Sequence, residues 1–308
     1  MRRVLLGTAI LALLPWLWSG SRDAAGQDKK PSTVSGSSEA VKTTDYVGSE
    51  TCTTCHGDLS KEFASNPHTR LALMHGGKGV TCESCHGPGK AHVESGGVAT
   101  KIFQFTKATP KQVDKKCLAC HVGEHPNFER TAHGEALVSC TSCHSVHKFE
   151  AQTVMLKTKQ PTLCYQCHTD VKPAFAQPFH HKVNEGLIKC TDCHDPHGTF
   201  QANQLRISAT QDAICTKCHV DTLGPFVYEH PPIKTEGCTS CHSPHGSPNP
   251  RLLIRSNVNS LCLQCHSPSM NFTAPGTPSF HNQANQYQAC TVCHVQIHGS
   301  NASSVFFK

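Results

Sequence analysis

Twenty cysteines in a chain of 308 residues all fall into ten C-x-x-C pairs, and the residue after every pair is histidine. The pairs are Cys52/Cys55, Cys82/Cys85, Cys117/Cys120, Cys140/Cys143, Cys164/Cys167, Cys190/Cys193, Cys215/Cys218, Cys238/Cys241, Cys262/Cys265 and Cys290/Cys293. The histidines are His56, His86, His121, His144, His168, His194, His219, His242, His266 and His294. Disulfide frameworks and zinc knuckles also use paired cysteines, but neither requires histidine at the next position ten times over; C-x-x-C-H is the attachment signature of c-type haem. On a helical turn residues i and i+3 share a face. Two thiols so placed can meet the two vinyl groups on one porphyrin edge as thioethers, and the next imidazole reaches the iron as proximal ligand. The expected cofactor is ten covalently bound haem c groups.

Such a count explains an otherwise puzzling composition. Only 37% of residues are hydrophobic and 6% aromatic, with 22 Gly, 19 Pro and a mean hydropathy of -0.36. Both tryptophans, Trp16 and Trp18, sit in an N-terminal segment expected to be removed. A chain of this length needs a large apolar core to offset its conformational entropy, and the porphyrins supply it. The expected fold class is a multihaem cytochrome c: short α-helices and loops around a linear array of ten haems, elongated, with little or no β-sheet.

Arg2 and Arg3 precede an apolar run, Val4 to Trp18, that Pro15 interrupts and Ala24-Ala25-Gly26 follows. The run is shorter than the roughly 20 residues of a membrane span and matches a secretory signal peptide, residues 1–26. The expected location is outside the inner membrane, in the periplasm. Residues 27–45, rich in Ser, Thr and Lys, read as a flexible tether.

The other histidines are regular. One follows each odd-numbered motif at a similar interval: His68, His133, His180, His230 and His281. One follows each even-numbered motif closely: His92, His147, His197, His245 and His298. These ten match ten irons as distal ligands and leave His75, His125 and His181 over. His180 against His181 is a near tie, which the Phe179-His180 step, repeated at Phe280-His281, resolves toward His180. Two motifs with two such histidines make a dihaem module, with boundaries at 46–116, 117–163, 164–214, 215–261 and 262–308, the signature of a linear array. A histidine three residues after a proximal ligand cannot pass around the porphyrin to the same iron. His147, His197 and His245 are therefore expected to reach a neighbouring haem and stitch the module together, and the sequence leaves open which neighbour each one serves. Met74, Met155 and Met270 read as packing residues, so every iron is expected to carry two histidines and no substrate.

The formal charge of +6 does not point to nucleic acid, because each ferric haem with both propionates ionised adds about −1.

With Tyr46-Val47-Gly48-Ser49-Glu50-Thr51-Cys52, Cys85-His86-Gly87-Pro88-Gly89, Phe128-Glu129-Arg130-Thr131-Ala132-His133 and the Cys-His-x-Pro-His-Gly runs at 193–198 and 241–246, the chain resembles the decahaem periplasmic cytochromes of the MtrA/DmsE/PioA type. The resemblance covers essentially everything from residue 46 onward. It implies a bis-histidine electron conduit, not an enzyme, threaded into an outer-membrane β-barrel. It also implies an inner-membrane or periplasmic cytochrome as donor and an outer-surface cytochrome or terminal reductase beyond the barrel. A soluble periplasmic shuttle shares every motif. A multihaem reductase would need one open iron, for which the histidine count leaves no place.

Overall fold

The computed structural model describes residues 42–74, 79–151, 154–199, 201–206, 213–266 and 289–307. The signal segment, residues 27–41 of the tether, His75, Met270, Phe280 and His281 lie outside the described residues. Lys42–Lys308 form one unit.

Its elements are short helical turns, and among the described residues the only β-structure is isolated bridges. The first are α1 (Ser49–Thr53), α2 (Gly57–Ala64), α3 (Pro67–Met74), α4 (Cys82–His86), α5 (Lys90–Glu94) and α6 (Pro110–His121), followed by α7 (Ala132–Glu135) and α8 (Cys140–Cys143). Local chemistry explains where they begin. Thr81 caps α4 by accepting from the Ser84 N–H. Thr109 caps α6 by accepting from the Gln112 N–H, with Pro110 preset for the first turn. Stops are equally local: α8 ends as His144 turns extended at φ −98°, ψ 149°. No helix among the described residues is long and apolar enough to cross a membrane.

The side-chain core is very small. Among the described residues the buried apolar side chains are Val113, Phe128, Leu156, Phe175 and Val183. Leu163, Ile214 and Leu261, which precede the first cysteines of the last three modules, are half-buried. Five side chains cannot order a chain of this length, in line with a fold built around cofactors.

Backbone and polar bonds hold the rest in register. The residue three before the first cysteine of an odd-numbered motif ties that motif to its successor: Ser49 Oγ accepts from the Cys82 N–H (3.3 Å), Asp114 Oδ1 from Cys140 (2.9 Å) and Asn259 Oδ1 from Cys290 (2.8 Å). In the third module Gln160, four before, does the same to Thr191 at 3.2 Å. After an even-numbered motif the chain folds back on itself. The N–H groups of Ser145, Asp195, Ser243 and Gln296 donate to the carbonyls of Met155, Gln204, Leu252 and Phe306 at 2.9, 2.8, 2.7 and 3.0 Å. All four acceptor residues have positive φ, 51°, 53°, 59° and 61°. A side chain in the left-handed region costs energy, and its recurrence at one point of the repeat marks the return turn as a constraint of the array.

Candidate metal centres

Each motif is one helical turn. The histidine N–H donates to the carbonyl of the first cysteine at 2.9 Å for His56, His144, His168 and His194, and at 3.0 Å for His219, His242, His266 and His294; His86 and His121 lie inside α4 and α6. Both thiols of a pair thus share a face. Successive motifs also neighbour one another in chain order at eight of the nine steps. Within modules, Cys52 meets Cys82, Cys117 meets Cys140, Cys164 meets Cys190 and Cys262 meets Cys290 through side-chain hydrogen bonds. Between modules, Cys85 lies in electrostatic reach of Cys117, Cys143 of Cys167, Cys193 of Cys215 and Cys241 of Cys262.

All twenty cysteines are expected as thioether positions, and the structure places them in two kinds of surroundings. The first cysteine of every pair is half-buried, as are Cys85, Cys143 and Cys241 among the second cysteines. The other second cysteines, Cys55, Cys120, Cys167, Cys193, Cys218, Cys265 and Cys293, are exposed. Position in the turn accounts for the difference. First cysteines meet one another within four of the modules, whereas most second cysteines stand at the exposed end of the turn. Exposure does not conflict with haem attachment. A thioether is a covalent bond to the porphyrin edge, so it needs a sulfur that a vinyl group can reach rather than one enclosed by protein.

Nine motif histidines each face a histidine from outside the motifs, and His121 has His125 beside it as well, at 6.4 Å. The ring centres are 6.3 Å apart in His56–His92, 6.2 Å in His86–His147, 5.9 Å in His121–His68, 5.8 Å in His144–His197 and 6.1 Å in His168–His133. They are 6.0 Å apart in His194–His245, and 6.2 Å in His219–His181, His242–His298 and His266–His230. Two metal–nitrogen bonds of about 2 Å, each extended by roughly 1.1 Å to a ring centre, predict about 6.2 Å for two imidazoles on one metal ion. The residues fit the group. His281, expected for the remaining iron, lies outside the described residues.

The ring nitrogens are set for the same task. Nδ1–H of His86, His144, His194, His242 and His294 donates to the carbonyls of Phe103, Val154, Asn203, Arg251 and Val305 at 2.9, 2.8, 2.9, 2.8 and 2.5 Å. A carbonyl only accepts, so the proton sits on Nδ1 and Nε2 is left to a metal. Burial lowers the pKa of His68, His147, His230, His245 and His298, and in each the facing motif histidine lowers it further. His197 falls to about 4, from burial first and then from His125 and His144. Such rings stay neutral, as ligands must.

The pairing crosses module boundaries in both directions. His68 reaches forward to His121 while His147 reaches back to His86; His133/His197, His181/His245 and His230/His298 repeat the exchange at the next three junctions. The expectation that His147, His197 and His245 stitch their own module together is corrected: each faces a motif in the module before. The two histidines of a junction are also tied to one another. His133 and His181 donate from Nδ1 to the carbonyls of Pro196 and Pro244, the residues before His197 and His245. His230 bonds the backbone of Ile297, before His298. His68 reaches Val146, before His147, through buried Asn66. A glycine follows the backward-reaching histidine in three of four junctions, and packing explains it. A Cβ on Gly198, Gly246 or Gly299 would fall 2.0, 1.8 and 2.1 Å from Thr131, Ala174 and Phe226 of the module before.

Position 180 is also revised. His180 donates from Nδ1 to the Gln177 carbonyl and meets Glu185 with Nε2 at 2.9 Å, whereas His181 faces His219. A one-residue step decides which ring faces the motif, and the Phe-His dipeptide carries no information about it. The polar residues before the odd motifs and the left-handed return residues were not singled out from sequence, although their repeated offsets are visible there.

The family model of the doubled CXXCH motif matches residues 132–173, 180–224 and 230–271, and that of cytochrome c554 and c-prime matches 17–87. The doubled-motif matches pair motif four with five, six with seven and eight with nine, one motif out of phase with the modules above. Multiheme cytochrome MtrA of Shewanella baltica (strain OS185) is 32% identical over 273 residues, which cover 83% of this chain and 80% of that protein. The C-type polyheme cytochrome OmcC of Geobacter sulfurreducens is 31% identical over 161 residues, 47% of this chain but 20% of its own length. The cytochrome c-type protein NrfB of Escherichia coli O6:H1 is 29% identical over 111 residues, 34% of this chain and 54% of NrfB.

Proposed function

Because this chain belongs to the MtrA-type multihaem c-type cytochromes, which bind haem c through C-x-x-C-H motifs and transfer electrons, we propose that it is a ten-haem wire. It carries electrons between the periplasm and the cell exterior through an outer-membrane β-barrel. The twenty cysteines hold the haems and the ten motif histidines are proximal ligands. His92, His147, His68, His197, His133, His245, His181, His298 and His230 are distal ligands to motifs one through nine in that order, and His281 to the tenth.

The observation that carries the reading is the set of nine facing imidazole pairs at 5.8 to 6.3 Å. An iron with two imidazoles has no open position for a substrate, which favours electron transfer over a multihaem reductase. The haem supplies the redox chemistry; the chain orients the ligand rings by their Nδ1 bonds, and the junction exchange keeps the motifs in chain order. A loop-rich polar chain is tolerated at membrane depth only when enclosed by protein, and a row of ten motifs suits a bilayer about 40–45 Å thick with its headgroups. The donor is an inner-membrane or periplasmic cytochrome, and an outer-surface cytochrome or terminal reductase stands beyond the barrel.

Co-purification of a barrel from detergent-extracted outer membrane, with electron transfer across proteoliposomes containing both proteins, is the expected result. Recovery wholly in a periplasmic extract, with no barrel bound, replaces the conduit by a soluble periplasmic electron shuttle.

A further inference from the structure

Three histidines among the described residues belong to none of the nine facing pairs: His294, the histidine of the tenth motif, whose ring lies on Phe307; His180, which Gln177 and Glu185 account for; and His125. His125 stands one turn beyond the third motif, its N–H bonded to the His121 carbonyl at 3.0 Å, and Pro126 follows it. Its ring stacks on that of His197 with 4.1 Å between centres and 28° between planes, and lies 6.4 Å from His121 at 27°. Both rings are half-buried. The repeat does not require this residue: four positions after the proximal histidine stand Ser60, Lys172 and Leu223 in the first, third and fourth modules. There the aromatic neighbours of the backward-reaching His147 and His245 are Phe63 and Phe175, carbon rings that cannot bind a metal.

We propose that His125 is a standby axial ligand for the metal ion that His144 and His197 face, a third imidazole at a centre with two axial positions. The inference rests on the ligand pairs proposed above. His125 already lies against the face of the ring it would replace, so taking its position requires a shift of about one ring thickness rather than a refolded backbone. The exchange breaks one metal–nitrogen bond and forms another, neutral imidazole for neutral imidazole, with no change of charge or oxidation state. Its effect is to keep the centre six-coordinate, closed to small molecules, when His197 leaves.

The test compares haem-loaded, exported proteins by ferric EPR. His245→Ala, where the further ring against the histidine is Phe175 and not an imidazole, is expected to show high-spin iron worth about one haem. His197→Ala and His125→Ala are each expected to stay low-spin, and the double variant H125A/H197A to show high-spin iron worth about one haem. A high-spin signal in His197→Ala equal to that of His245→Ala overturns the standby role and leaves the ligand pairs intact. A fully low-spin double variant also overturns it, because another group then fills the position. No high-spin signal in His245→Ala defeats the ligand pairs themselves, and this inference with them. Should His197→Ala fail to accumulate, His197→Gln, which keeps a polar side chain of similar volume, reads the same signal.

Discussion

His181 and His219 stand with their ring centres 6.2 Å apart, while His180, one residue earlier, turns both ring nitrogens onto Gln177 and Glu185. Neighbouring histidines therefore have separable roles. His181→Ala is expected to convert about one haem to high spin, seen by EPR and by the visible spectrum. His180→Ala, which removes the bonds to the Gln177 carbonyl and to Glu185 but no imidazole that faces a motif histidine, is expected to leave the spectrum unchanged.

His245 faces His194, not the His242 three residues before it. Variants that act on one centre are non-additive, whereas those on separate centres add. His194→Ala with His245→Ala is thus expected to perturb the same single haem as either change alone, and His242→Ala with His245→Ala to perturb two. Equal counts of perturbed haems in the two double variants would refute the exchange between modules.

Gly246 has the Ala174 carbonyl where a Cβ would stand, at 1.8 Å. Gly246→Ala forces the third and fourth modules apart at His245. Overpacking of this kind costs about 1–3 kcal/mol, and the expected outcome is a lower Tm in calorimetry accompanied by partial high-spin character. Gly123, where a Cβ meets nothing, is the control site: Gly123→Ala is expected to keep the parent Tm.

Asp114 is buried and accepts from the Cys140 N–H at 2.9 Å, bridging motifs three and four. Asp114→Ala leaves that N–H unpaired, a loss of about 1–3 kcal/mol; Asp114→Asn keeps an acceptor and is expected to recover most of it. Chemical denaturation with an unchanged m-value checks both.

Intact mass and iron analysis of the exported protein are expected to give ten haems per chain. Nine or fewer would remove one motif from the proposed wire.

The sequence alone was enough for the chemistry. C-x-x-C-H is a local device: three spacings within one helical turn place two thiols and an imidazole, so each motif can be read without its neighbours, and the scarcity of apolar residues follows from the porphyrin core. Among the described residues, spacing singles out eight of the nine histidines that face a motif histidine, because a repeat repeats its geometry; the ninth is His181, where the spacing favours His180. Which ring faces which was beyond it. That His68 goes forward to His121 while His147 comes back to His86 depends on contacts between segments far apart in the chain, and the return turns at Met155, Gln204, Leu252 and Phe306 are equally invisible in it. The left-handed conformation of those residues has no signature in their side chains. The exposure of Cys55 beside half-buried Cys52 is likewise a matter of which neighbours the turn meets, and the motif spells both positions alike. The stacking of His125 on His197 is a contact across 72 positions, one that only folding could bring together. Sequence periodicity specifies what recurs along the chain; contacts between distant segments come from packing, and here packing assigned the pairs.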